Sequence, residues 1–210
     1  MKHEWRKTEK NIYLPKSKPE VIDVPDFKFV TISGEGNPNT DHFKKHIEAL
    51  YSLAYAIKMN LKTLQTQPKG YTDYTVYPLE GVWDINDEAK KHYNGQLNKD
   101  DLVFTLMIRQ PDFVNDTFFS KMLEVTKKKK PNPLLDQVKF ETISEGKCIQ
   151  MMHIGSYDDE PASFQIMEAF AEVHKLSRLS KIHREIYISD FRKVAPEKLK
   201  TVLRFQLTTE

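Results

Sequence analysis

The sequence predicts an α+β fold in which a strand-helix-strand-strand unit occurs twice, the two copies related by a pseudo-twofold axis around a central groove. Three observations predict it. The same succession of hydrophobic patterns runs twice along the 210 residues. Short matching runs occupy equivalent places in the two passes, Ile47-Glu48-Ala49-Leu50 against Met167-Glu168-Ala169-Phe170 and Phe104-Thr105-Leu106 against Phe205-Gln206-Leu207. The chain, 39% hydrophobic, is also long enough to bury a substantial core as one domain.

Residues 1–25 are polar and basic, with Trp5, Ile12, Tyr13 and Leu14 as the main apolar points and three prolines near the end, and they read as an arm laid over the domain. The first unit covers 26–110. Phe27 to Ser33 alternates with β-rich character and stops at Gly34, Gly36, Asn37 and Pro38. With Thr40 or Asp41 as N-cap, Phe43, Ile47, Leu50, Ala54 and Ile57 recur at three- and four-residue steps and mark one helix face. Thr75 to Trp83 and Leu102 to Ile108 follow as strands. Residues 111–137 link the halves through a helix bearing Phe118, Met122 and Val125; Lys127 to Lys130 suit the negative pole of its dipole, and Pro131 and Pro133 end it. The second unit, 138–210, repeats the order with a strand from Cys148 to Ile154, a helix from about Pro161, and strands Ile182 to Ser189 and Thr201 to Leu207.

Composition removes several functions. Lysine and arginine number 32 against 30 acids, which leaves no broad electropositive face for nucleic acid. The charged first ten residues lack a signal peptide's apolar stretch, the one cysteine cannot form an internal disulfide, and no apolar run is long enough to cross a bilayer. The expectation is a cytoplasmic protein without membrane contact, acting as a monomer or homodimer. No metal or cofactor is expected. His42 and His46 stand four apart on a helix but lack the glutamate and third ligand of a metal site, and read as surface histidines. Ser156 has no nucleophile elbow around it, so serine-hydrolase chemistry is set aside.

Alternation along Ile182 to Ser189 puts Ile182, Arg184, Ile186 and Ile188 on one face and His183, Glu185, Tyr187 and Ser189 on the other. With the isoleucine face against the helices, Glu185, Tyr187 and His183 would point into the groove, joined from the first unit by Tyr77 and Trp83. The plain alternative for Glu185 is a solvated strand residue beside ordinary aromatics. The loop Gly155 to Glu160 precedes a helix, where capping accounts for its acids and Tyr157 could lean over the groove.

Several segments together resemble the GyrI-like small-molecule-binding proteins, in particular stand-alone members without a DNA-binding domain: Tyr13 to Pro25 (YLPKSKPEVIDVP), GEGNP at Gly34, PLEGVW at Pro78, KKKKPNPLL at Lys127, GSYDDEPASF at Gly155, EIYISD at Glu185 and PEKLKTVL at Pro196. The resemblance implies a duplicated SHS2 fold with a central ligand groove in which the glutamate of the EIY run, here Glu185, contacts ligand. It also implies bulky, planar, often cationic aromatic ligands, in a role of xenobiotic or antibiotic defence. One branch of the family consists of hydrolases that add water across the cyclopropane of DNA-alkylating antibiotics. As a binder, the protein would stack rings on Trp83, Tyr157 and Tyr187 and pair Glu185 with a cation. As a hydrolase, it would use Glu185 as general base and Tyr157 to steady the developing oxyanion.

Overall fold

A computed structural model describes residues 2–208. In chain order the described residues form α1 (Trp5–Thr8), α2 (Lys10–Tyr13), β1 (Glu20–Val24), β2 (Phe27–Glu35), α3 (Asp41–Thr63), β3 (Leu79–Ile85), α4 (Asp87–His92), β4 (Leu102–Gln110), α5 (Asp116–Lys129), β5 (Lys139–Ile143), β6 (Gly146–Ile154), α6 (Glu160–Val173), β7 (His183–Tyr187) and β8 (Lys200–Gln206). The chain divides into two compact units. Unit 1 takes residues 2–3, 27–77 and 83–143, and unit 2 takes 4–26, 78–82 and 144–208. No helix among the described residues is long and apolar enough to cross a membrane.

In unit 1, β2 lies between β4 and β5, antiparallel to both, with Ile32 opposite Leu106 and Val30 opposite both Ile108 and Phe140. The Thr40 hydroxyl caps α3 by accepting from the Phe43 amide, as the sequence proposed. Leu50, Leu53, Ala54, Ile57 and Leu61 then form the buried stripe that packs against β2 and β4. Near the start of the helix the packing is close enough to require glycine. A Cβ on Gly34 would stand 2.6 Å from the Phe104 ring and 2.7 Å from His46 Nε2. His46 is therefore a buried core residue, not the surface histidine expected.

In unit 2 the strands run in the order β1-β6-β8-β7, all antiparallel. The two units share both the element order strand, helix, strand, strand and the pairing in which the last strand sits beside the first. Each also takes one edge strand from an unexpected place in the sequence. β1 precedes β2 along the chain yet pairs with β6, whereas β5 precedes β6 yet pairs with β2. The supposed arm thus contributes a strand whose pattern, Glu-Val-Ile-Asp-Val between prolines, is too short and too polar to stand out.

The face assignment on β7 is overturned. Directly opposed residues of an antiparallel pair point to the same side of the sheet, and Glu185 pairs with Leu203. Leu203 packs with Ile149, Met151 and Phe205 against Met167 and Ala171 of α6. Glu185 therefore lies on the helix side, along with His183 and Tyr187. The reason is that this sheet is buried on both faces, so alternation could not reveal which face the helix covers.

The opposite face carries a charged network instead of an apolar layer. Arg184 Nη1 donates to Glu80 Oε2 at 2.7 Å and its Nε lies 2.9 Å from Glu145 Oε1, while Arg204 donates to Glu145 Oε2 at 2.8 Å and to Gln150 Oε1. Arg204 also reaches the Ile12 carbonyl and Gln150 the Asn11 carbonyl, so the arm satisfies the network from its far side. Two buried cations and two buried anions alternate, the arrangement that makes burial of charge tolerable. Burial works against the charge on Glu145, but Arg184 and Arg204 hold its carboxyl below the ordinary range; complete burial pushes the Glu80 carboxyl up, with Arg184 pulling against it.

Candidate functional site

At the end of β6 the chain turns through Gly155, whose φ of +144° is open to glycine and rare for other residues. Ser156 follows as a cap, its hydroxyl accepting from the Asp158 amide. His153 fixes the turn from below. A carbonyl can only accept, so the His153 Nε2–H donates to Ser156 O at 3.0 Å, which leaves Nδ1 to accept from the Ser163 hydroxyl at 2.9 Å. A short 3-10 turn, Tyr157–Asp159, then leads into α6, whose first residue is Glu160.

Glu160 and Glu185 meet there. Both are nearly buried, 6% and 8% exposed, and the two carboxyl groups are near enough for Glu185 to act on the charge of Glu160. Glu185 is held by its neighbours on β7: Tyr187 donates to Oε2 at 2.7 Å, and His183 Nε2 lies 3.2 Å from Oε1. Tyr157 meets Tyr187 edge-on with ring centroids 5.9 Å apart, and Phe164 of α6 meets His183 at 4.7 Å. Two carboxylates in contact without a cation between them cannot both stay ionised in a dry site.

Burial, then the charge of Glu185, push the Glu160 carboxyl well above its ordinary range. The helix dipole opposes this, because a helix start favours negative charge. That effect is worth up to about 2 kcal/mol, against a desolvation penalty of several kcal/mol for a buried ion, so the proton stays on Glu160. Burial and the nearby Glu185, Glu160 and Asp190 charges likewise raise the Tyr157 hydroxyl, which keeps its proton. The cluster is a carboxyl pair, protonated on Glu160, walled by two tyrosines, a histidine and a phenylalanine.

Of the residues the sequence nominated, the structure brings Glu185, Tyr187, His183 and Tyr157 together in unit 2. Trp83 and Tyr77 belong to unit 1. Trp83 is 5% exposed and packs with Phe43 at 5.7 Å and Phe104 at 5.3 Å. Tyr77 precedes β3, because Pro78 delays the strand to Leu79; its ring lies under Arg109 at 4.6 Å and its hydroxyl 3.3 Å from His3 Nε2. Glu160 was missed. Its acidity was assigned to capping, but Ser156 supplies the side-chain cap and Asp159, at the N-cap of α6, makes no capping bond. A third consecutive acid, more than capping needs, was the available signal.

The profile of the GyrI-like small molecule binding domain matches residues 17–208. A conserved protein from Listeria innocua is 38% identical, with a TM-score of 0.86 over 98% of this chain and 100% of its own. Another Listeria innocua protein, described as a hydrolase, is 37% identical, with a TM-score of 0.88 over 99% of this chain and 100% of its own. The C-terminal domain of EcmrR shares the fold alone, at 12% identity and a TM-score of 0.55 over 92% of this chain and 98% of its own. No curated protein matches the chain.

Proposed function

The chain belongs to the GyrI-like small-molecule-binding family, and from that premise we propose that it hydrolyses small aromatic molecules at the carboxyl pair of unit 2. The observation that carries the reading is the pair of buried neighbouring carboxyl groups, Glu160 and Glu185, with Glu185 held by Tyr187 and His183. A site that only paired a cation needs one carboxylate; a second, protonated one in contact with it is an acid–base device. The relative described as a hydrolase, similar over the full chain, supports the same choice.

The substrate class that best suits these walls is a cyclopropane fused to a dienone, as in cyclopropanoid DNA-alkylating compounds. Water oxygen bonds to a cyclopropane carbon, the strained C–C bond breaks, and its electron pair aromatises the ring and arrives on the former carbonyl oxygen as phenolate. The proton lost by water enters the carboxyl pair, with Glu185 as the base, and returns through solvent to the phenolate. Net change is one water added. Tyr157, its hydroxyl kept protonated, is the donor placed to steady the phenolate oxygen.

Incubation with a duocarmycin-like cyclopropanoid should give a product heavier by one water by mass spectrometry. Glu185→Gln should lower turnover about 100-fold or more with affinity little changed. A second reading, binding of cationic aromatics, draws on the same carboxylate between Tyr157 and Tyr187. It is favoured if no hydrated product forms and Glu185→Gln weakens a cationic dye by about 1–3 kcal/mol while sparing a neutral one.

A further inference from the structure

The two carboxyl groups are not equivalent, and the difference lies in which oxygens are already engaged. Glu185 has both occupied, Oε2 by the Tyr187 hydroxyl and Oε1 by His183. Glu160 has one oxygen, Oε1, that is buried and has no hydrogen-bond partner among the described protein atoms. Its other oxygen is the one left to face Glu185. An unpaired acceptor in a dry site costs about 1–3 kcal/mol, a cost removed when a donor is brought to it. Such an atom is where a reacting O–H has a partner waiting.

Resting on the hydrolytic reading, we infer that Glu160 is itself a catalytic residue: its Oε1 receives the attacking water, and the water's proton reaches Glu185 through Glu160. As the water oxygen bonds to the substrate carbon, its proton passes to Glu160 Oε1. In the same step Glu160 gives the proton on its other oxygen to Glu185. One O–H bond forms and one breaks on Glu160, which ends neutral as it began, and Glu185 ends protonated. The charge that enters the site with the lone pair of Glu185 is thereby used without water ever touching Glu185. Tyr187 and His183 are positioning residues, holding the Glu185 carboxylate where it faces the proton of Glu160. The remaining ionisable groups around the pair, Tyr157 and Asp158 on the turn before α6 and His153 on β6, stand outside the transfer; His153 is committed to Ser163 and Ser156.

Glu160→Gln isolates the claim, because an amide keeps an acceptor oxygen and can donate to Glu185 but cannot pass a proton on. The relay requires kcat for the cyclopropanoid to fall about 100-fold or more with KM within about threefold of wild type. If Glu160→Gln keeps its rate while Glu185→Gln loses it, the relay is overturned and hydrolysis by Glu185 alone stands. If both variants keep the wild-type rate, the hydrolytic reading itself fails. A proton inventory on the unaltered protein decides the matter even where a variant misfolds. Rates in mixtures of H2O and D2O should bow downward, as two protons in flight require, and a straight line from a single proton would refute the relay.

Discussion

The starts of α3 and α6 each follow one strand and precede two more along the chain, and they are filled by opposite chemistry. In unit 1, Phe43, Trp83, Phe104 and His46 close the space with ring contacts of 5.0–5.7 Å, and Gly34 gives up its side chain to let them in. In unit 2, Glu160, Glu185, Tyr157, Tyr187 and His183 meet instead. Aligning the helices so that Ala49 matches Ala169 sets Phe43 opposite Ser163, a ring replaced by a hydroxyl that binds His153. Unit 1 uses the position to hold the helix to the sheet, and unit 2 holds it through polar bonds that leave a carboxyl oxygen unpaired. One unit carries stability at this position while the other carries cost.

The sharpest way to break this comparison is Phe104→Ala. Removing a ring that is 3% exposed and shared by three aromatic neighbours should cost about 3–5 kcal/mol in urea unfolding. Turnover per folded molecule should stay at the wild-type level. A folded Phe104→Ala protein without activity would make the aromatic cluster part of the site and dissolve the contrast. Smaller is Gly34→Ala, which forces the Phe104 ring and His46 aside and should cost about 1–3 kcal/mol. A neutral effect in the same unfolding measurement would show that the start of α3 is loosely packed.

Much of this was legible in the sequence because it follows from local rules. The cap at Thr40 or Asp41, the stripe through Leu50, Ala54 and Ile57 and the order of strands and helices come from local spacing. The identity of the acidic strand residue was legible too, through Glu185 and its neighbours Tyr187 and His183. Its direction was not. Arg184, Ile186 and Val202 are as buried as Leu203, so period-two alternation marks two faces without saying which the helix covers. Nor could it show that Glu80 and Glu145 neutralise Arg184 and Arg204, since these four residues come from four separate segments. β1 and β5 escaped notice because each pairs away from its sequence neighbour, and Glu160 because an acid at a helix start has an adequate explanation in the dipole alone.

A graded effect, small at each step of pH, tests the same contrast. Glu160 is an acid whose folded pKa is raised, by burial first and by Glu185 second, so the folded chain holds a proton that the unfolded chain has released once pH exceeds about 4.5. Stability from that proton is complete below the unfolded value and declines as pH rises toward the folded one, by at most about 1.4 kcal/mol per pH unit. Because the proton belongs to the pair, removing either ionisable partner should abolish the slope. Glu160→Gln should therefore be close to wild type near pH 4.5 and progressively more stable than wild type above it, read as a difference in melting temperature that widens as pH rises toward the folded pKa. In unit 1 the buried His46 has instead a pKa lowered by burial beside the Phe104 ring, so Phe104→Ala, which relieves that burial, should cost most above about pH 6.5 and less as the pH falls. A Glu160→Gln curve running parallel to wild type would mean that the carboxyl pair costs the fold nothing, and the asymmetry between the two helix starts would be one of shape alone.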